Sequence, residues 1–321
     1  MNWRKGKSRL IILFLGINIL LGWANYKKVS GAYLLKDSQI YDIRQVMEKS
    51  NIFVDTEIPK AYRPLQKLTV FPYKIDSNAR EILVKQLLQT LEGVKISVVP
   101  PTVPDEKPKR IYTKGEEVVI FEGEKIIYHH KGIGQQDIPE DFPENLEPEE
   151  SPETVTPPGL GVDKKDAKKS LDVNTAKRTS EKWLKQMGYS PRDMHTQVVV
   201  QEQNVHIIYY DKYEGTPVFD SYVKMTITPL GMSDMEIHKV ELGDMTGEKQ
   251  KIYSADQVFF YLIPEIKTGE PVHIKDIMIG YALENPKGTH LMAEKAIPFY
   301  QVTLEDGTIH YIDAYNNEIV E

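Results

Sequence analysis

Residues equipped for chemistry are sparse in this chain. It has eight histidines and no cysteine. The tandem pair His129-His130 falls in a strand-like stretch, where neighbours point to opposite faces and chelate poorly. His206, His238, His273 and His310 are scattered singly over other strand-like segments. Ser221 beside Asp220, with a distant histidine, holds the parts of a Ser/His/Asp hydrolase. However, no strand–turn–helix nucleophile elbow surrounds that serine. No glycine-rich phosphate loop occurs. Without cysteine there are no disulfides, thiol nucleophiles, CxxC redox pairs or cysteine-ligated zinc. We expect no catalytic residue, no cofactor, no metal ligand and no small-molecule substrate.

One polar residue stands where polarity is costly. From Leu10 to Ala24 the side chains are apolar except for Asn18. In hydrocarbon no lipid satisfies its amide, and an interhelical hydrogen bond would contribute about 0.6–2 kcal/mol. Phe14, Leu21 and Gly22 share its helical face. These four are the candidate partner-binding residues, a seam within the membrane. A second reading, in which the amide bonds to its own helix backbone, stays open. Trp3 and Trp23–Tyr26 bracket the run, and Trp3 to Tyr26 as a helix spans about 35 Å, against a hydrocarbon core of about 30 Å. Arg4, Lys5, Lys7 and Arg9 precede the run, whereas Lys27 and Lys28 follow it. That bias keeps the N-terminus cytoplasmic. A cleaved signal peptide ending near Ser30-Gly31-Ala32 is the competing reading. Lys27 and Lys28 count against it, because cleavage regions are normally uncharged. The expected location is the cell membrane, with a single pass and the body extracellular.

At 321 residues, the length suggests about two domains outside the membrane. The formal charge of -7 argues against nucleic acid or an anionic lipid surface as the main partner. With 40% hydrophobic residues, a core can form without disulfides.

The elements that must position these residues follow from periodicity. Helices are expected over Asp37–Ser50, from Ser77 to a cap at Gly93, over Asn174–Met187, and from Ser254 to Pro264. Strands are expected at Leu65–Phe71, Val94–Val99, in a meander from Ile111 to Tyr128, and at Gln197–Gln201, Val205–Tyr210, Val218–Pro229 and Met235–Leu242. Further strands are Val272–Leu283, Ile297–Leu304 and Ile309–Asp313. Tyr213-Glu214-Gly215 and Asp306-Gly307 read as turns rather than binding loops. Residues 137–158, acidic and proline-rich with no basic residue, read as a stiff, solvated tether. The expected fold class is α+β: one transmembrane helix followed by two extracytoplasmic α+β subdomains with antiparallel sheets. Its divisions are a tail at 1–9, an anchor at 10–26, subdomains at 33–134 and 171–321, and a linker at 135–170. Tyr209, Tyr210, Tyr213, Tyr222, Tyr300, Tyr311 and Tyr315 are divided between core and an aromatic contact surface.

Two stretches carry a family resemblance. Asn2-Trp3, the basic residues and the apolar run of residues 11–22 resemble the start of the YycI regulatory proteins. Tyr213-Glu214-Gly215-Thr216-Pro217-Val218-Phe219 pairs with Ile297-Pro298-Phe299-Tyr300-Gln301-Val302, Asp306-Gly307 and Tyr311-Ile312-Asp313-Ala314. This pattern is similar to YycI and, more loosely, to PepSY-type domains. The resemblance covers about residues 1–26 and 200–320. It implies a non-catalytic membrane protein of low-GC Gram-positive bacteria. With a YycH-like companion it would regulate WalK, a sensor histidine kinase of a two-component system controlling cell-wall metabolism. The means would be transmembrane and extracytoplasmic protein–protein contacts. The alternative function is a PepSY-like module that binds or inhibits a secreted peptidase. A third class, an extracytoplasmic enzyme, lacks a constellation to support it.

Overall fold

The computed structural model describes residues 13–23, 32–101, 108–133, 171–201, 203–266, 269–284 and 293–320. Helix α1 covers 13–23, and all of it is exposed. The basic cluster, Lys27, Lys28 and both ends of the expected 10–26 anchor lie outside the described residues, as does the 135–170 linker. Among the described residues no helix is long and apolar enough to cross a membrane.

The rest is a sheet-rich α+β body. Its first elements are α2 (Asp37–Lys49), β1 (Ile52–Val54), β2 (Leu65–Pro72), α3 (Ser77–Leu88) and β3 (Lys95–Val99). A meander follows, β4 (Lys109–Lys114), β5 (Glu117–Glu122) and β6 (Lys125–His130). Helix α4 (Val173–Gln186) leads into β7 (His195–Gln201), β8 (Asn204–Tyr213), β9 (Thr216–Thr228), β10 (Gly231–His238) and β11 (Val240–Gln250). The last elements are α5 (Ala255–Ile266), β12 (Val272–Leu283), β13 (Glu294–Leu304), β14 (Ile309–Asp313) and β15 (Ile319–Val320).

The chain forms two compact units, each gathered from distant segments. The first takes Met1–Lys67, Met245–Gly280 and Ile297–Glu321, and the second takes Leu68–Asp244 and Tyr281–Ala296. This differs from the expected division into 33–134 and 171–321. The edge of the early meander, β6, is satisfied by β10 of the later segment, with His129 opposite Asp234 and Lys125 opposite His238. Strand β1 likewise pairs with β12, which places Ile52 opposite Val272.

In the first unit, α2 and α5 bury Ile43, Met47, Phe259 and Leu262 with Ile274, Tyr300, Val302 and Ile312. In the second unit, eight strands run antiparallel in the order β7-β8-β9-β10-β6-β5-β4-β3. The apolar alternation of β9 puts Val223, Met225 and Ile227 on the face that packs with Leu87 and Leu88 of α3 and Leu184 of α4. Not every pairing is antiparallel, as the alternation alone had implied. β1 pairs with β12, and β12 with β9, in parallel. These strands are joined by long excursions rather than hairpins, which permits the parallel sense.

Candidate functional site

The opposite face of the second unit's sheet collects polar groups. His129, Asp234, Thr226 and His206 occupy consecutive register positions across β6, β10, β9 and β8. The His129 Nδ1 lies 2.6 Å from Asp234 Oδ1, and the Ser233 hydroxyl donates to Asp234 Oδ2 at 2.6 Å. His206 Nδ1 lies 3.0 Å from Thr226 Oγ1. Burial, then the nearby Lys224, holds the His206 imidazole below its ordinary pKa, against the pull of Asp234. Two residues along, Tyr222 donates to Glu236 at 2.6 Å and Lys125 stands 3.3 Å from the same carboxylate. Burial opposes ionisation of Glu236, but the Tyr222 hydroxyl, Lys125 and Lys224 together keep its pKa lowered.

This row does not activate a nucleophile. Ser233 and His129 both bond to the carboxylate, which lies between them. A hydrolase places the imidazole in the middle, so that it can take the hydroxyl proton.

A second cluster is buried between strands. Lys239 Nζ donates to Asp211 Oδ2 at 2.7 Å, and Ser221 donates to that same oxygen at 2.6 Å. The Val240 amide donates back to Ser221 Oγ at 3.3 Å, and the Lys239 ammonium lies 4.7 Å from the centre of the Tyr189 ring. Burial lowers the lysine pKa despite Asp211, and it pushes the Tyr189 phenol up to about 12. Ser221 has no solvent-accessible surface. Its sequence neighbour Asp220 instead accepts the Leu283 amide at 2.7 Å. The serine and aspartate that the sequence set side by side therefore have separate structural partners.

The remaining histidines are dispersed. His130 Nδ1 accepts the Gly132 amide at 3.2 Å. His273 stacks on Phe53 and lies 3.0 Å from Asp55. His310 sits on β14 opposite Val302. His238 and Glu124 line a shallow recess together with Val70, Phe71, Leu283 and Glu294. Among the described residues no group of three or more His, Cys, Asp or Glu is placed to hold a metal ion.

The candidate partner residues Phe14, Asn18, Leu21 and Gly22 all fall in α1 and are exposed. Of the tyrosines singled out by sequence, Tyr209, Tyr210 and Tyr300 are buried. Tyr222 is tied to Glu236, and Tyr315 donates to the Leu65 carbonyl. The exposed aromatics are others: Phe14 and Trp23 on α1, Tyr41 on α2, Phe71 on β2, Tyr253, and Phe260 and Tyr261 on α5, the last two 55% and 62% exposed. The signal was present in the sequence. Phe260, Tyr261 and Pro264 recur at helical spacing opposite Val258, Phe259 and Leu262, so apolar residues stand on both sides of α5, with Asp256, Gln257 and Glu265 as its polar residues.

No family model matches the chain, and no curated protein matches it. Among solved structures it is similar to an uncharacterized protein from Eubacterium rectale, at TM-score 0.52 and 11% identity, over 84% of this chain and 91% of that one. That likeness shows a shared fold. The C-terminal domain of Bacillus megaterium YpeB gives TM-score 0.34 at 12% identity, over 77% of this chain and 96% of that one. YycH from Bacillus subtilis gives TM-score 0.42 at 13% identity, over 79% and 55%.

Proposed function

We propose that this protein is a membrane-anchored, non-catalytic regulator of a WalK-like sensor histidine kinase controlling cell-wall metabolism. It acts with a YycH-like companion through transmembrane and extracytoplasmic contacts. The observation that carries the reading is α1. Its surface is a continuous apolar cylinder broken by Asn18, with Phe14, Leu21 and Gly22 on the same face and all of them exposed. A lone amide in such a helix is satisfied by a partner helix, and glycine beside it lets backbones approach closely. The resemblance of residues 1–26 and 200–320 to the YycI proteins supports the choice of partner. In the body, Asp234 is bonded by Ser233 and His129 and Asp211 by Ser221 and Lys239, which supports a reading through contacts.

The test is anchor exchange in cells. Asn18→Leu should weaken co-purification with the kinase and alter its output while the protein still inserts. Replacing residues 10–24 by an unrelated apolar helix should do so more strongly. Wild-type regulation by both variants would remove the membrane-seam mechanism. The extracytoplasmic domain would then have to act alone.

A further inference from the structure

The outward face of α5 has no task in the function proposed above. The inward face buries Val258, Phe259, Leu262 and Ile266 against the first unit's core. The outward face presents Phe260, Tyr261 and Pro264 beside Gln257, with Tyr253 just before the helix, and all five are exposed. Two large aromatic rings more than half exposed on one helix are an anomaly for a surface that faces only water.

We propose that this face seats on the boundary between headgroups and acyl chains of the bilayer that holds the anchor. The proposal rests on the anchor reading and adds a second membrane contact to it. Three observations select lipid as the occupant. The first is chain length: eight residues separate Trp23 from Ala32. They reach at most about 29 Å, so the entry to the body is held near the bilayer. The entry itself belongs to the first unit, because the Tyr62 hydroxyl holds the Ala32 carbonyl at 3.2 Å and Tyr62 packs on the cluster that α5 completes. The second is side-chain chemistry. Phenol and phenyl rings beside proline match the mixed polarity of the interface, where aromatic residues concentrate. The third is charge. Lys249 and Lys251 lead into the segment and Glu248, Asp256 and Glu265 outweigh them, so ring burial rather than attraction to anionic lipid holds the contact.

Because the chain has no cysteine, single-cysteine variants report cleanly. Tyr261→Cys and Phe260→Cys, each carrying an environment-sensitive fluorophore, would be made in the full chain and reconstituted into phosphatidylcholine vesicles with and without phosphatidylglycerol. Flotation first checks that the chain is anchored, and circular dichroism that it is folded. The expected result is at least a twofold loss of emission with lipid-borne nitroxide, little quenching by aqueous iodide, and the same response in both lipid mixtures. Iodide quenching as strong as that of the free dye would overturn the proposal while leaving the anchor intact. Shielding from both quenchers would overturn it too, since protein would then be the cover. A folded chain that fails to float would overturn the anchor reading itself, and the proposal with it.

Discussion

Lys239 and Asp211 form the most consequential buried pair in the second unit. The lysine side chain is 8% exposed and the aspartate 29%. Removing the aspartate strands an ammonium that water reaches poorly, so Asp211→Ala should destabilise by about 3 kcal/mol. Lys239→Met keeps the apolar stem and leaves a carboxylate that is still bonded to Ser221 and partly wet. It should cost clearly less, and urea denaturation of the two variants checks the order. Buried phenols set the alkaline limit. Burial pushes Tyr189 and Tyr281 from 10.0 up to about 12, and Tyr128 and Tyr300 higher still. A phenol whose folded pKa is raised contributes stability that is complete below the unfolded value and lost as pH climbs through the folded one. Melting temperature should therefore drop steeply between pH 10 and 12, with phenolate absorbance rising together with unfolding. Lys239 works weakly the other way, since its lowered pKa means that protonation costs the folded state. A melting temperature that is level across that window would contradict the assignment. The separation of Ser221 from Asp220 is equally physical. Successive strand residues point to opposite faces, so adjacency in sequence guarantees separation in space.

Helices and turns were legible to different degrees. α2 and α4 match their expected ranges within a residue, because apolar spacing and capping signals agreed. The cap of α3 is Asp76, which accepts the Ala79 amide, and its end is Gln89 in a left-handed conformation rather than Gly93. Pro264 was expected to stop α5, yet the helix runs on to Ile266. The proline removes one backbone donor, and only two residues of the helix follow it. The expected strand Met235–Leu242 ran β10 into the start of β11, and the rest of β11 was missed because it is polar and shows little alternation. The Glu214-Gly215 hairpin was read correctly as a turn. Both residues have positive φ, 48° and 86°, the signature of a two-residue type I′ loop. Glutamate fits that first position poorly, and asparagine tolerates it. Glu214→Asn should therefore raise stability by about 0.5 kcal/mol without altering the flanking register, as thermal melts and backbone amide shifts would show. A loss of stability would mean that the Glu214 carboxylate has a structural task of its own.

Which segments build each unit was the least legible property, because strand partners far apart in sequence leave no local trace. The acidic stretch was read as a divider, yet the segments on either side of it share one ladder through β6 and β10. A protease site introduced within 135–170 should therefore yield two fragments that co-elute on size exclusion and part only in denaturant. Separation without denaturant would show that the β6–β10 ladder and its core are too weak to hold alone. The same interleaving sets a clock. Ile52 of β1 meets Val272 of β12, and Leu68 of β2 meets Ala296 of β13. At a synthesis rate of about 5–20 residues per second, β1 waits roughly 10–45 s for its neighbour. During that interval an early strand with apolar side chains has an open edge, which is the condition under which chains mispair. A nascent chain of this design depends on whatever shields its first seventy residues until its last fifty arrive.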